Sequence, residues 1–92
     1  MFLNISKDVI IRTKDIVGVF NLDYIKNTKE YRNFLSNMME QRQIVKDGDK
    51  QEKTFILTQN EKGTKGYITN ISTNTIGKRK RKDVKRKLGG KF

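Results

Sequence analysis

Among the residue types that do chemistry, this chain offers mainly lysine, arginine and scattered carboxylates. It has no histidine and no cysteine, so it lacks the usual neutral-pH base and the usual thiol nucleophile. It can form no disulfide, and a metal site would have to be all oxygen, a poor donor set for zinc or iron. Asp8, Asp15, Asp23, Asp47 and Asp49 lie at expected strand ends and turns, where turn chemistry places aspartate. Asp47-Gly48-Asp49 resembles a fragment of a calcium loop but lacks the remaining ligands, so it reads as a turn. Gly63-Thr64-Lys65-Gly66 lacks the spacing of a phosphate loop and precedes an expected strand where that motif needs a helix. These observations argue against an enzyme and predict no cofactor.

The cations remain. From Gly77 to Phe92 the chain carries nine basic residues against one acidic, a net +8 of the formal +11. Lys78, Arg79, Lys80, Arg81, Lys82, Lys85, Arg86 and Lys87 form the dense part of this block. Such a block repels itself and is neutralised by a polyanion. Nucleic acid is the expected polyanion, because displaced counterions supply binding free energy. Elsewhere, Arg12 and Lys14 flank a turn, Lys46, Lys50 and Lys53 surround the Asp47–Asp49 turn, and Lys62 and Lys65 sit on an expected hairpin loop. Each alone reads as an ordinary solvated charge; their value depends on converging on one surface. Tyr24, Tyr31 and Tyr67 are aromatics that can stack bases, although Tyr31 also fits a core position.

The elements that must position these groups follow from pattern. Ninety-two residues allow one domain, read as a folded part over 1–76 and a basic, flexible tail over 77–92. Phe2–Ile5 and Val9–Arg12 are strand candidates. Asp15–Leu22 is apolar on both alternating sets, with Ile16, Phe20 and Leu22 on one face and Val17 and Val19 on the other. Gly18 within it suggests a bulge or a close backbone approach. Asn27 followed by Glu30 has the pattern of a capping box, and Tyr31, Phe34, Leu35, Met38 and Met39 then form one stripe, predicting a helix over about 28–43. Thr54–Thr58 and Tyr67–Ile71 are strands joined by a longish loop, and Ser72 or Thr73 caps a short helix leading into the basic block.

The fold class is therefore α+β: a small, mostly antiparallel sheet packed on one main amphipathic helix. One helix covers one face of a sheet, and Ile16–Leu22 asks for cover on both. A second copy of the chain is the expected cover, which predicts a homo-oligomer; the alternative is that the first strand or the C-terminal turn folds over that face. No apolar run approaches the roughly 20 residues that span a bilayer, and the N-terminal residues do not read as a secretory signal. The expectation is a cytoplasmic protein without a small-molecule substrate.

The stretch Arg12-Thr-Lys-Asp-Ile-Val-Gly-Val-Phe20, followed in order by a helical middle, a turn with basic residues, a β-branched strand and Tyr67-Ile-Thr-Asn-Ile-Ser-Thr-Asn-Thr-Ile76, resembles the RemA/RemB family of bacterial extracellular-matrix regulators, closest to the RemB branch. The resemblance covers roughly residues 1–82. It implies a DNA-binding transcriptional regulator of biofilm genes that forms closed rings and contacts the DNA backbone through basic residues on the rim. By position, the resemblance puts those residues at Lys14 and near Lys50 and Lys53. The second turn departs from the pattern: Asp49-Lys50-Gln51-Glu52-Lys53 interleaves acids where RemA is rich in arginine. The basic extension beyond Lys82 is also not part of the pattern. The partner expected is double-stranded DNA, with Arg12, Lys14, Lys50, Lys53 and the tail cations as contacts. The alternative is an RNA-binding or ribosome-associated accessory protein. An adaptor whose tail lies on anionic membrane is a third reading, weakened by the scarcity of apolar anchors in the tail.

Overall fold

A computed structural model describes residues 2–6, 8–47 and 51–78. In chain order it contains β1 (Phe2–Asn4), β2 (Ile10–Arg12), a 3-10 turn (Thr13–Asp15), β3 (Ile16–Asn21), α1 (Leu22–Ile25), α2 (Lys29–Glu40), β4 (Ile44–Asp47), β5 (Thr54–Asn60) and β6 (Gly63–Thr69). A short helix over 73–78, α3, follows. The fold is α+β as expected. β1 and β2 form an antiparallel pair, and a four-stranded sheet runs in the order β3-β5-β6-β4. Its pairings are antiparallel except β4 with β6, which is parallel. The Asp47–Asp49 turn extends outside the described residues.

Alternation along the two central strands builds two cores. Phe55 and Ile68 point to one side, where they are buried with Leu22 and Met38, and Tyr31 and Leu35 of α2 pack onto them. Ile56 points to the other side and is buried with Leu3, Ile5, Ile11 and Ile76. Burying a side chain of this kind contributes about 1.5–3 kcal/mol. The second face of the sheet is thus covered within the chain, by the β1–β2 hairpin and by α3. This overturns the reason given above for a second copy: the first strand and the C-terminal turn supply the cover.

β3 also differs from the simple alternation. The pairing with β5 shifts between Ile16 and Gly18, leaving Val17 as the extra residue of a bulge. Ile16 and Val19 therefore pack toward the same core, and Val17 is left exposed. A side chain at Gly18 would meet the Phe20 ring, 2.8 Å from an added Cβ. The strand ends at Asn21, whose side chain accepts a hydrogen bond from the Asp23 amide at 2.9 Å and caps α1. Leu22 is therefore helical, not the end of the strand.

The main helix is shorter than predicted. Thr28, with an extended backbone, is its N-cap and accepts from the Tyr31 amide at 3.2 Å. The Asn27/Glu30 box does not form, because the chain leaving α1 turns until Thr28, whose amide donates to the Ile25 carbonyl at 3.0 Å. The helix ends at Glu40 in a Schellman arrangement: Gln43 N–H donates to Met38 O at 2.9 Å and Arg42 N–H to Met39 O at 3.0 Å. Of the expected stripe, Met38 is buried and Tyr31 and Leu35 half-buried, while Phe34 and Met39 are exposed. At the other hairpin the expected long loop is a tight turn. β5 runs to Asn60 and β6 begins opposite it at Gly63, leaving Glu61 and Lys62 as the connection.

Candidate nucleic-acid interface

The tight β5–β6 turn places cations at one end of the sheet. Asn60 accepts from the Lys62 amide at 2.8 Å, and Gly63 follows at φ +123°, a conformation that L side chains avoid. This presents Lys62 at the tip. Lys65 lies farther along β6, its backbone carbonyl accepting from the Thr58 hydroxyl at 3.2 Å.

Arg12 reaches the same end from β2. Its Nε donates to Asp15 Oδ2 at 2.9 Å and an NH2 group donates to Oδ1 at 3.3 Å. Asn60 donates its side-chain amide to the same carboxylate at 3.2 Å. Asp15 is buried and so ties the turn before β3 to the β5–β6 hairpin. The Asn60 hydrogen bond, then Arg12 and Lys14, hold its carboxyl below the ordinary 3.8 against the opposing effect of burial. Lys14 is exposed on the same turn.

Arg12, Lys62 and Lys65 line one open cleft of about 290 Å³, with Ile10, Asp15, Asn60 and Tyr67 among its walls. Tyr67 is half-buried and packs on the hairpin-side core. Burial, then the Asp15 charge, pushes its phenol above the usual 10. The cleft thus combines three cations, an aromatic ring and hydrogen-bonding groups, a surface suited to phosphate and sugar contacts.

Lys53 lies at the other end. It precedes Thr54, which pairs with Asn21 and Thr69, whereas Asn60 pairs with Gly63. A strand of this length spans about 20 Å, so Lys14 and Lys53 do not meet. The surface around Lys53 includes Asp23, Lys26, Glu52 and Thr73. Lys26 pairs with Asp23 at 3.7 Å and Lys46 with Glu52 at 3.0 Å. Lys78 is exposed at the end of α3. Lys50, Arg79, Lys80, Arg81, Lys82, Lys85, Arg86 and Lys87 lie outside the described residues.

The cleft joins predicted Arg12 to Lys62, Lys65 and Tyr67, which the sequence marked only as separate loop and strand residues. The link runs through an Asp15–Asn60 contact 45 residues apart in sequence, and no local pattern announces it. The one local signal is the turn-forming run Asn60-Glu61-Lys62-Gly63, which puts Lys62 and Lys65 on the same hairpin.

Among the described residues, no group of three acidic, histidine or cysteine side chains is placed to hold a metal ion, and no helix is long and apolar enough to cross a membrane. Compared with models of known protein families and with curated proteins, the chain matches none.

Proposed function

We propose that this protein binds double-stranded DNA through phosphate contacts and acts as a self-associating transcriptional regulator of the extracellular-matrix class that its sequence resembles. The observation that carries the reading is the convergence of Arg12, Lys62 and Lys65 on one cleft, beside exposed Lys14. The basic block over 77–92 adds nine more cations. Contacts of this kind position a duplex without reading bases, so selectivity would come from DNA shape and bendability. Self-association would multiply weak contacts into stable binding.

A second reading, single-stranded or structured RNA, is favoured by one observation: Tyr67 forms part of the same cleft, where a base can stack. Competition of long duplex DNA against both RNA forms, at one fixed salt near physiological, separates the two. DNA binding should strengthen with duplex length and survive Tyr67→Leu, which keeps an apolar group against the core. RNA winning by tenfold, about 1.4 kcal/mol, with Tyr67→Leu costly, would overturn the DNA reading.

A further inference from the structure

The two edges of the four-stranded sheet are unlike. β4 is four residues long and carries Lys46, paired with Glu52, and Asp47. Charge and shortness are common guards against edge-to-edge pairing. β3 spans six residues, reads IVGVFN, and has neither charge nor proline. Its bulge disturbs only the Ile16–Gly18 end; from Gly18 to Asn21 it pairs regularly with β5. Among the described residues, β5 is its only strand partner, so the other side of β3 is an open ladder.

An apolar groove of about 410 Å³ runs beside this edge on the α2 side, lined by Phe20, Ile25, Tyr31, Phe34 and Leu57. Phe20 and Phe34 keep 40% and 42% of their surface exposed, and Val17 keeps 60%. Rings so exposed beside an unguarded strand form a patch that favours association. The patch has a further property. The chain carries a formal +11, yet the groove lining holds no cation, and its one charged residue is Glu30. Two copies meeting here keep their cations out of the contact.

We infer that the β3 edge is the seat of a second copy of this chain. The two β3 strands run antiparallel about a two-fold axis, joining two four-stranded sheets and burying Phe20 and Phe34 of both copies. A two-fold contact uses the same patch twice, and antiparallel pairing of a strand with itself satisfies that symmetry. The guarded β4 edge argues against head-to-tail β3–β4 joining. The inference rests on the self-association in the reading above and moves its surface from a face of this strand, where the sequence placed it, to the strand's open edge.

The absence of cysteine permits a direct test on the full chain. Single-cysteine variants Val17→Cys and Phe20→Cys, treated with a short bis-maleimide at micromolar protein, should cross-link to dimers, whereas Lys62→Cys at the hairpin tip should not. Val17→Lys should halve the native mass measured by light scattering while its circular dichroism stays unchanged; Phe34→Lys on the helix surface gives a second reading if Val17→Lys disturbs the fold. An assembled wild type whose mass survives both lysine variants, with no cross-link at either strand position, overturns the two-fold edge contact and leaves self-association standing. A peptide or other protein bound at β3 while the chain stays monomeric overturns it in favour of strand addition by a foreign partner. A monomeric wild type that still binds long duplex removes self-association but not DNA binding.

Discussion

At the end of the sheet where β5 turns into β6, Arg12, Lys14, Lys62 and Lys65 gather around Asp15 and Glu61; at the opposite end, Lys26, Lys46 and Lys53 stand among Asp23, Asp47 and Glu52. The first set carries a net +2 and the second a net zero, from these residues of the sequence. The difference is also one of arrangement. At the balanced end Asp23 and Glu52 reach out to Lys26 and Lys46 as exposed pairs, which contribute little to stability but neutralise those two cations. At the basic end the buried acid faces inward. Asp15 braces Arg12 and Asn60, and among the described residues Lys14, Lys62 and Lys65 form no ion pair. Similar numbers of lysines therefore stand in different electrostatic surroundings, decided by where the neighbouring carboxylates point.

Matched triple substitutions should break this comparison if it is wrong. Lys14, Lys62 and Lys65 together changed to Gln should weaken duplex binding by tenfold or more, about 1.4 kcal/mol. The slope of log K against log salt should flatten by up to about 2.7, at roughly 0.9 per phosphate contact. Lys26, Lys46 and Lys53 changed to Gln should flatten it by less than about 1. Both are read by salt titration of a fluorescent duplex. Equal losses would mean that the tail or overall charge carries binding and that the two ends do not differ.

Gly66→Ala tests whether the ends can be perturbed together. An added Cβ would lie 2.7 Å from the Phe55 ring and 2.9 Å from Ile44. Overpacking of this kind costs about 1–3 kcal/mol, readable by denaturant unfolding. Because Gly66 sits in the middle of β6, the loss should lower global stability without changing the salt slope of duplex binding.

Asp15→Asn should separate stability from binding at the basic end. The folded carboxyl titrates below its ordinary value, so its contribution is present above about pH 3.8 and is lost as pH falls through the lower folded value. The variant should be less stable at neutral pH, and the difference from wild type should shrink in the acid limb. Its duplex affinity should hold or rise, because a negative charge has left the cleft. Weakened binding at preserved stability would show that Asp15 positions Arg12 for contact, so that its brace matters more than its charge.

The fold class, the helix and the β5–β6 pair were legible because each rests on a local period or on turn residues. What the sequence could not show came from contacts across the chain. The cover supplied by Ile76 and by β1–β2 requires knowing that these distant residues share a face with Ile56. β4 is only four residues long and pairs in parallel with a distant strand, so Ile44-Val45 gave too short a signal. The bulge at Val17 was hinted at by Gly18, but its effect, moving Val19 inward onto the hairpin-side core, depends on the β5 register. The candidate site divides in the same way. Arg12 and Lys14 were legible as cations flanking one turn, and Lys62 and Lys65 as cations on a hairpin loop, whereas their association needed the Asp15–Asn60 bridge.

The smallest expected effect marks how far the basic end extends. Arg42 holds φ +56° at the end of α2, a left-handed conformation that a residue with a Cβ adopts at a cost of roughly 1–2 kcal/mol. Glycine removes that strain but loses more backbone entropy on folding, about 0.5–1 kcal/mol. Arg42→Gly should therefore stabilise the chain by at most about 1.5 kcal/mol in chemical unfolding. Arg42 precedes β4, whose Ile44 pairs with Gly66, so it stands on the half of the sheet nearer the hairpin turn without lining the cleft. The salt slope of duplex binding should stay unchanged in this variant. A drop of roughly 0.9, the value of one phosphate contact, would carry the basic surface around from the cleft to the β4 edge, and the contrast between the two ends would become one between two sides.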